Sequence, residues 1–170
     1  RFREKNNMPS LEESQDTVSK ALFQASQNYQ AANDDAEQAQ KAVDEVDKMI
    51  QEARDLGQEL DLSQIPFVAI SEIIRTIRAN LVIEETALAA LQVKYLEKWP
   101  AVIVAKETID KLTTEIQKVA QDEIQNLRQQ ARSQLARSTR AKDSLASRQA
   151  DMNRLNQLKV EYDNLVMEKM

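Results

Sequence analysis

Apolar residues recur along the first third of the chain at the spacing of a helix that pairs through one face. They alternate steps of four and three without a break, at Val18, Leu22, Ala25, Tyr29, Ala32, Ala36, Ala39, Val43, Val46, Ile50 and Ala53. This coiled-coil period predicts a helix wound against a partner, and the many Ala residues predict a close approach of the two backbones. Ser10 and Glu13 are the residue types of a capping box at its start.

The last stretch of the chain, residues 101–169, predicts one long third helix. It contains no Gly or Pro and is rich in residues that favour helix. Its predicted apolar stripe is formed by Ile109, Leu112, Ile116, Ala120, Ile124, Leu127, Ala131, Leu135 and Ser138. A helix of that length would extend about 100 Å, and so polar a helix needs a partner along the stripe.

Two breaks set off a second helix between these two. Gly57 is expected to end the first helix in a left-handed conformation, and Pro66 disfavours helix at Ile65. Pro100 suits the first turn of the third helix. The predicted fold class is therefore all-α, a long antiparallel coiled-coil hairpin of about three helices at roughly 10–56, 70–98 and 101–169.

The helix lengths favour one arrangement of that hairpin. The first two helices together are nearly as long as the third, at 1.5 Å per residue. They are expected to follow one another along the third helix, which runs back beside both; the alternative is an up-down-up bundle of three helices. Residues 1–170 are interpreted as a single elongated helical region, and we expect them to be a piece of a longer protein because the chain starts at Arg1 rather than at Met.

The second helix carries more apolar surface than one partner needs. One seam is formed by Ile70, Ile74, Ile77, Leu81, Leu88, Leu91 and Tyr95. A further apolar set lies away from that seam; Val93 belongs to it near the end of the helix, and its other members are Ile73, Val82, Ile83, Ala87 and Ala90. These five residues are predicted to contact another copy of the chain; the alternative is a wider intramolecular core.

The chain is expected to reverse direction at the turn that contains Tyr95, Trp99 and Pro100, which would form the tip of the hairpin. Trp99 is the only Trp in the sequence. Two interpretations of it stay open at this point. It is either a binding residue at the tip or a ring that plugs the end of a thin helical pair.

Composition excludes several kinds of chemistry. The chain has no Cys and no His, which rules out the usual zinc sites, thiol chemistry and His-based catalysis. Its single Gly excludes a glycine-rich phosphate loop, and a net charge of −5 gives no support to nucleic-acid binding. We therefore expect no catalytic, cofactor or metal site, and no enzyme activity in this region.

Charge differs between the first and third predicted helices. The first is acidic, through Asp34, Asp35, Glu37, Asp44, Glu45 and Asp47. The third is basic, through Arg128, Arg132, Arg137, Arg140, Lys142, Arg148 and Arg154. Antiparallel pairing would bring the opposite charges together and select the register. The alternative is that the basic residues face an acidic sugar polymer.

Several short motifs follow one another in a distinctive order. They are FREKNNM with SLEESQ near the start, Ile65-Pro66, a segment from Ile74-Arg75 to Leu91, KYLEKWP at 94–100 and EYDNL at 161–165. This order resembles the periplasmic coiled coil of polysaccharide co-polymerases of the Wzz, GumC and Wzc type. The likeness covers nearly the whole chain, with Trp99 standing where the family usually carries His.

The resemblance implies the periplasmic part of a bacterial inner-membrane protein that forms homo-oligomers and is anchored by flanking transmembrane helices. It implies control of the chain length and export of exopolysaccharide or O-antigen, with the polymerase and export machinery as partners and the polysaccharide as a further candidate. In some members a cytoplasmic tyrosine autokinase is attached or associated. Two alternatives stay open: the helical hairpin of a periplasmic adaptor in a secretion or efflux system, and a structural scaffold coiled coil.

Overall fold

The computed structural model describes residues 11–168, with side chains from Glu13 onward. Four α-helices account for most of this range: α1 Leu11–Asp55, α2 Pro66–Ala69, α3 Glu72–Lys94 and α4 Pro100–Met167, with a 3₁₀ helix at Leu62–Gln64. No strand occurs between residues 11 and 168. The predicted all-α fold is confirmed, while the capping box expected at Ser10 lies outside the described residues.

Helix α1 forms and ends as its sequence predicts. Every predicted seam position from Val18 to Ala53 is buried or partly buried. Gly57 has a φ of 64°, the left-handed conformation expected of the residue after a helix end. Its N–H donates to the Arg54 carbonyl at 3.0 Å, and the Gln58 N–H donates to the Ala53 carbonyl at 2.9 Å. These two bonds satisfy carbonyls that the helix end would otherwise leave unpaired.

The second helix, predicted at roughly 70–98, is shorter in the structure and is preceded by a separate helical turn. Pro66 begins the single turn of α2, and α3 begins only after Ser71, whose ψ of 132° is outside the helical range. Ile70 caps the C-terminus of α2 and is 70% exposed, so its predicted place in the seam was wrong. The break at Ser71 resets the helical phase, which is why the stripe of α3 starts at Ile74. At the other end, Tyr95 is extended and ends α3 at Lys94.

Contacts divide the chain into two compact units. The middle unit comprises Ala39–Ala131, and the terminal unit comprises the residues up to Gln38 together with those from Arg132 onward. Each unit therefore contains a segment of α1 and a segment of α4. The short helices and α3 belong to the middle unit.

The middle unit has an apolar core to which α1, α2, α3 and α4 all contribute. The buried cluster comprises Val43, Val46, Ile65, Val68, Ile74, Ile77, Ile116, Ala120, Ile124, Leu127 and Ala131. Helix α3 runs antiparallel to α4, because Ser71 contacts Glu123 at 3.0 Å and Glu97, beyond the other end of α3, pairs with Lys106 at 3.3 Å. Since α1 contacts α4 through Asp47 and Arg128, two successive helices lie against one.

In the terminal unit, α1 and α4 form an antiparallel pair. Gln15 contacts Lys159 at 3.5 Å, and Asp35 pairs with Arg137 at 3.6 Å, so α1 numbers rise as α4 numbers fall. Small side chains fill much of the interface. Ala25, Ala32, Ala36 and Ser138 are all buried there, and Leu155 is a large buried residue of α4. The predicted antiparallel pairing is confirmed within this unit.

The stripe of α4 departs from its prediction at one position. The predicted stripe positions from Ile109 to Ala131 are buried or partly buried as expected, but the next one, Leu135, is 59% exposed. Gln134 faces the interface instead, and its Oε1 is buried with no hydrogen-bond partner among the described residues. The cause is the spacing of the interface positions. After Ala131 the next interface residue is Gln134, three positions on, and the one after that is Ser138, four positions further, the same alternation as in α1. A step of four from Ala131 to Leu135 therefore leaves the seam.

Candidate interaction surface

Helix α3 presents an apolar face that no described residue covers. Ile73, Val82 and Ile83 are 57%, 56% and 64% exposed, and Ala87 and Ala90 are exposed as well. The opposite face of the helix is the packed one, since Ile74 and Ile77 are buried. Val82, Ile83, Ala87 and Ala90 thus lie on the side of α3 away from the packed face, whereas Ile73, four residues before the buried Ile77, lies at the edge of that face. None of the five belongs to the buried intramolecular core. Contact with another copy of the chain stays a prediction.

Charge is scarce on this outer face. Between residues 79 and 93 the only charged side chains are Glu84 and Glu85; Glu84 is partly buried at a position of the seam, between Leu81 and Leu88, and Glu85 is exposed. Apart from Glu85, the exposed residues of that stretch are Ala, Val, Ile, Thr, one Asn and one Gln. A solvated helix face normally carries charged residues, so this composition is typical of an interaction surface.

A shallow open groove of about 450 Å³ lies beside this face, between α3 and α4. Its apolar lining comes from Ile73, Ile77 and Leu112, and two glutamates, Glu72 and Glu115, line it as well. The groove lies wholly in the middle unit. It extends the apolar face of α3 toward α4 and adds negative charge to it.

The turn between α3 and α4 contains the predicted tip residues. Tyr95 and Trp99 stack with ring centroids 4.9 Å apart and planes inclined by 11°. Tyr95 is 40% and Trp99 51% exposed, and Pro100 begins α4. The Trp99 N–H donates to the Leu96 carbonyl at 2.9 Å. Stacking and this backbone bond hold the ring at the surface of the turn.

Further exposed apolar residues lie close to the two rings in sequence. Val93 and Leu96 are each 85% exposed, and Ile103 and Val104 of α4 are 43% and 60% exposed. Their neighbours Val102 and Ala105 face the other way and are buried. The turn therefore combines six exposed large apolar side chains, four of them aliphatic, within twelve residues of sequence.

Two of the predicted charge pairs between the acidic and basic helices are present. Arg128 pairs with Asp47 at 2.5 Å, and Arg137 pairs with Asp35 at 3.6 Å. All four side chains are substantially exposed, so each pair adds little to stability and serves mainly to fix the register. Arg148 pairs instead with Asp151 along its own helix. For Arg128 and Arg137 the intramolecular interpretation is confirmed.

The segment between α1 and α3 is held by a network of polar side chains. We call this network the polar node; it comprises Asp61, Ser63, Arg78 and Gln117. The Asp61 carboxylate accepts hydrogen bonds from the Ser63 N–H at 3.0 Å, the Ser63 hydroxyl at 2.7 Å and the Gln117 amide at 2.6 Å. Arg78 donates to the Ser63 carbonyl at 2.7 Å. Ser63 is 1% exposed. The node joins the segment that follows α1 to both α3 and α4.

The node also sets the one clear pKa shift among the described residues. Burial raises the pKa of Asp61, but hydrogen bonds from Ser63, Gln117 and Gln64 outweigh it and leave the pKa below its ordinary value of 3.8. The sequence analysis missed this node. The local signal was Asp61-Leu62-Ser63, since Asp commonly bonds the backbone two residues later, whereas the partners Arg78 and Gln117 are set by tertiary structure.

Across residues 11–168, no group of three or more acidic side chains is placed to hold a metal ion, and no helix combines the length and apolarity needed to cross a bilayer. Comparison of the chain with known protein families, with curated proteins and with solved structures finds no match. The resemblance to polysaccharide co-polymerases therefore rests on the sequence motifs alone.

Proposed function

We propose that this chain is the periplasmic helical-hairpin region of a polysaccharide co-polymerase, a bacterial inner-membrane protein that acts as a homo-oligomer. In this role it regulates the chain length and export of exopolysaccharide or O-antigen. The observation that carries the proposal is the order of the motifs along an antiparallel pair of helices. Ile65-Pro66 lies at the break before α3, KYLEKWP spans the reversal into α4, and EYDNL lies near the end of α4.

The packing of the hairpin supports a scaffolding role. Helices α1 and α3 bury their seams against α4, so the pairing is satisfied within one chain. The outer face of α3 is then left for a neighbour, and its small residues Ala87 and Ala90 allow a second helix to approach closely. Copies arranged through this face would place several hairpins side by side, and such an assembly could influence the length of a growing polymer as a scaffold.

The apolar nature of the α3 face favours a protein neighbour over a direct sugar contact. Ile73, Val82 and Ile83 offer no hydrogen-bonding groups to a polysaccharide, whereas they gain free energy when another apolar surface removes them from water. In this proposal the polymer's length is set through the assembly. The polymerase and the export machinery then meet the oligomer rather than a single copy.

The proposal is tested by deleting the gene that encodes the chain and complementing the strain. The length distribution of surface polysaccharide is read on gels. We expect deletion to broaden or shorten the distribution and wild-type gene to restore it. A gene carrying Ile73→Glu and Ile83→Glu should fail to restore it, because two carboxylates on the α3 face oppose assembly.

The matched control is Val160→Glu, which places a carboxylate on α4 at a residue that is 59% exposed and lies outside the α3 face. It should complement as well as wild type. A deletion strain whose polysaccharide is unchanged in length and amount would reject the proposed function.

A further inference from the structure

The turn between α3 and α4 is the most apolar exposed part of the middle unit. We define the tip cluster as the six exposed residues Val93, Tyr95, Leu96, Trp99, Ile103 and Val104. Val93 and Leu96 keep 85% of their surface in solvent. Such high exposure means that these side chains project outward and do not line a groove. A projecting apolar group of this kind is typical of a surface that contacts a protein partner or a membrane.

The charges around the tip cluster differ from those of the chain as a whole. Between Val93 and Lys106 there are three lysines and one glutamate, whereas the chain carries a net charge of −5. Glu97, the one acid, is paired with Lys106 at 3.3 Å. Lys94 and Lys98 are exposed on either side of Leu96 and form no ion pair among the described residues. The tip is thus a local positive region in an acidic protein.

The combination of residue types distinguishes a lipid surface from a protein partner. Protein interfaces are enriched in Arg and depleted in Lys, and their energetic centres fill concave pockets. The tip has lysines, no arginine and a projecting form. Trp and Tyr settle at the headgroup level of bilayers, aliphatic side chains enter the apolar layer, and lysines extend their ammonium groups back to the phosphates.

We propose that the α3–α4 turn docks on a lipid surface that carries anionic headgroups. Leu96 and Val93 enter the apolar layer, the stacked rings of Tyr95 and Trp99 lie at the headgroup level, and Lys94 and Lys98 contact the phosphates. The charge of the two lysines complements that of the lipid. The docking is peripheral and reversible, since one short turn buries few apolar residues. It does not depend on the function proposed above.

The single Trp of the chain makes the test direct, because Trp99 lies in the tip cluster. The 170-residue chain is mixed with vesicles of phosphatidylcholine alone or mixed with phosphatidylglycerol. We expect the emission of Trp99 to shift to shorter wavelength, and the chain to sediment with the vesicles, when phosphatidylglycerol is present. Salt should weaken the binding, because it screens the attraction between lysine and phosphate.

Variants separate the apolar contribution from the charged one. Lys94→Gln and Lys98→Gln should each weaken binding about fivefold at low salt. Val93→Asp combined with Leu96→Asp should weaken it more than about tenfold, since it removes two inserting side chains. Val160→Asp, at an exposed position of α4 outside the tip cluster, should bind as wild type does. Circular dichroism verifies that each variant keeps its helicity.

Three results would overturn the proposal. The first is no emission shift and no sedimentation with either kind of vesicle. The second is an emission shift that depends on the concentration of the chain without vesicles, which would mean that a second copy covers the tip cluster. The third is a shift produced by lipid-free, detergent-solubilised membrane protein but not by vesicles, which would identify a protein partner instead.

Discussion

Asp61 is the residue on which the connection between α1 and α3 depends most. It caps the 3₁₀ helix at Leu62–Gln64 and accepts a hydrogen bond from Gln117 of α4. We expect Asp61→Ala to lower the free energy of unfolding by about 1 kcal/mol through the lost cap. Urea unfolding followed by circular dichroism measures the change. Glu59→Ala, at an exposed acid nearby, is the control and should change stability by less than about 0.5 kcal/mol.

The lowered pKa of Asp61 gives a pH dependence with a definite sign. Because the folded-state pKa lies below 3.8, the stabilisation by the carboxylate is fully present above pH 3.8 and is lost as the pH falls through the lowered value. Asp61→Asn retains a capping oxygen but has no charge. The difference in stability between wild type and this variant should therefore shrink on acidification; a difference that grows at low pH would contradict the assignment.

Gly57 tests the end of α1 in a similarly local way. Its φ of 64° is strained for any residue with a Cβ, although a Cβ built there meets no atom within 4 Å. The cost of Gly57→Ala is therefore conformational. We expect this substitution to lower the free energy of unfolding by about 1 kcal/mol, measured by thermal unfolding. Gly57→Asn should lose less, since Asn tolerates the left-handed conformation better. Equal stability of the Ala variant and wild type would contradict this account.

At the scale of the elements, uninterrupted periodicity was the reliable guide. The seam of α1 repeats with a single period, and each of its positions was predicted correctly. The phase failed where the backbone leaves the helix, at Ile70, and where the stripe changes spacing, after Ala131. The spacing of apolar residues does not show where the backbone leaves the helical conformation, as it does at Ser71, where ψ is 132°. It also cannot show which of two adjacent positions, Gln134 or Leu135, faces the partner helix.

That last pair of residues offers a matched test of the seam. Gln134→Leu should raise the free energy of unfolding by about 1 kcal/mol, because it removes a buried amide oxygen that has no partner among the described residues. Leu135→Gln should change it by less than about 0.5 kcal/mol, since that side chain is 59% exposed. Both are measured by urea unfolding. A loss of about 2 kcal/mol or more in Leu135→Gln would place Leu135 in the seam after all.

The sequence predicted that the acidic helix would pair with the basic helix, but it did not predict which individual residues would pair. The acidic and basic helices indicated antiparallel contact, and Asp35 and Asp47 do pair with arginines of α4. The partner of each charge depends on register to within one residue. Arg148 shows the competing effect, since an acid three residues away on the same helix is closer than any acid on α1.

For the whole molecule, sequence reasoning identified the residues of the candidate surface before their exposure was known. Ile73, Val82 and Ile83 stood out because they are apolar and off the seam, and the structure leaves them open to solvent. The tip was expected as well, through Tyr95, Trp99 and Pro100. Val93 was expected off the seam and is exposed, whereas the exposure of Leu96 was not predicted, because in a sequence an apolar residue near a helix end looks the same whether it faces the core or solvent.

The last prediction concerns the mass of the proposed oligomer. Ile83→Glu puts a carboxylate into the stretch of α3 between residues 79 and 93 that has almost no charge, and Ile73→Glu adds a second one at the start of the helix. If a second copy covers this face, both carboxylates would have to lose water without a partner, at a cost of several kcal/mol. Light scattering on the protein should then report a lower oligomer mass than for wild type, with helicity unchanged because both positions are exposed. Phe23→Glu, at a residue that is 64% exposed in the terminal unit, should leave the mass as in wild type. An unchanged mass in the double variant would mean that copies meet elsewhere, and the apolar face of α3 would then require another partner.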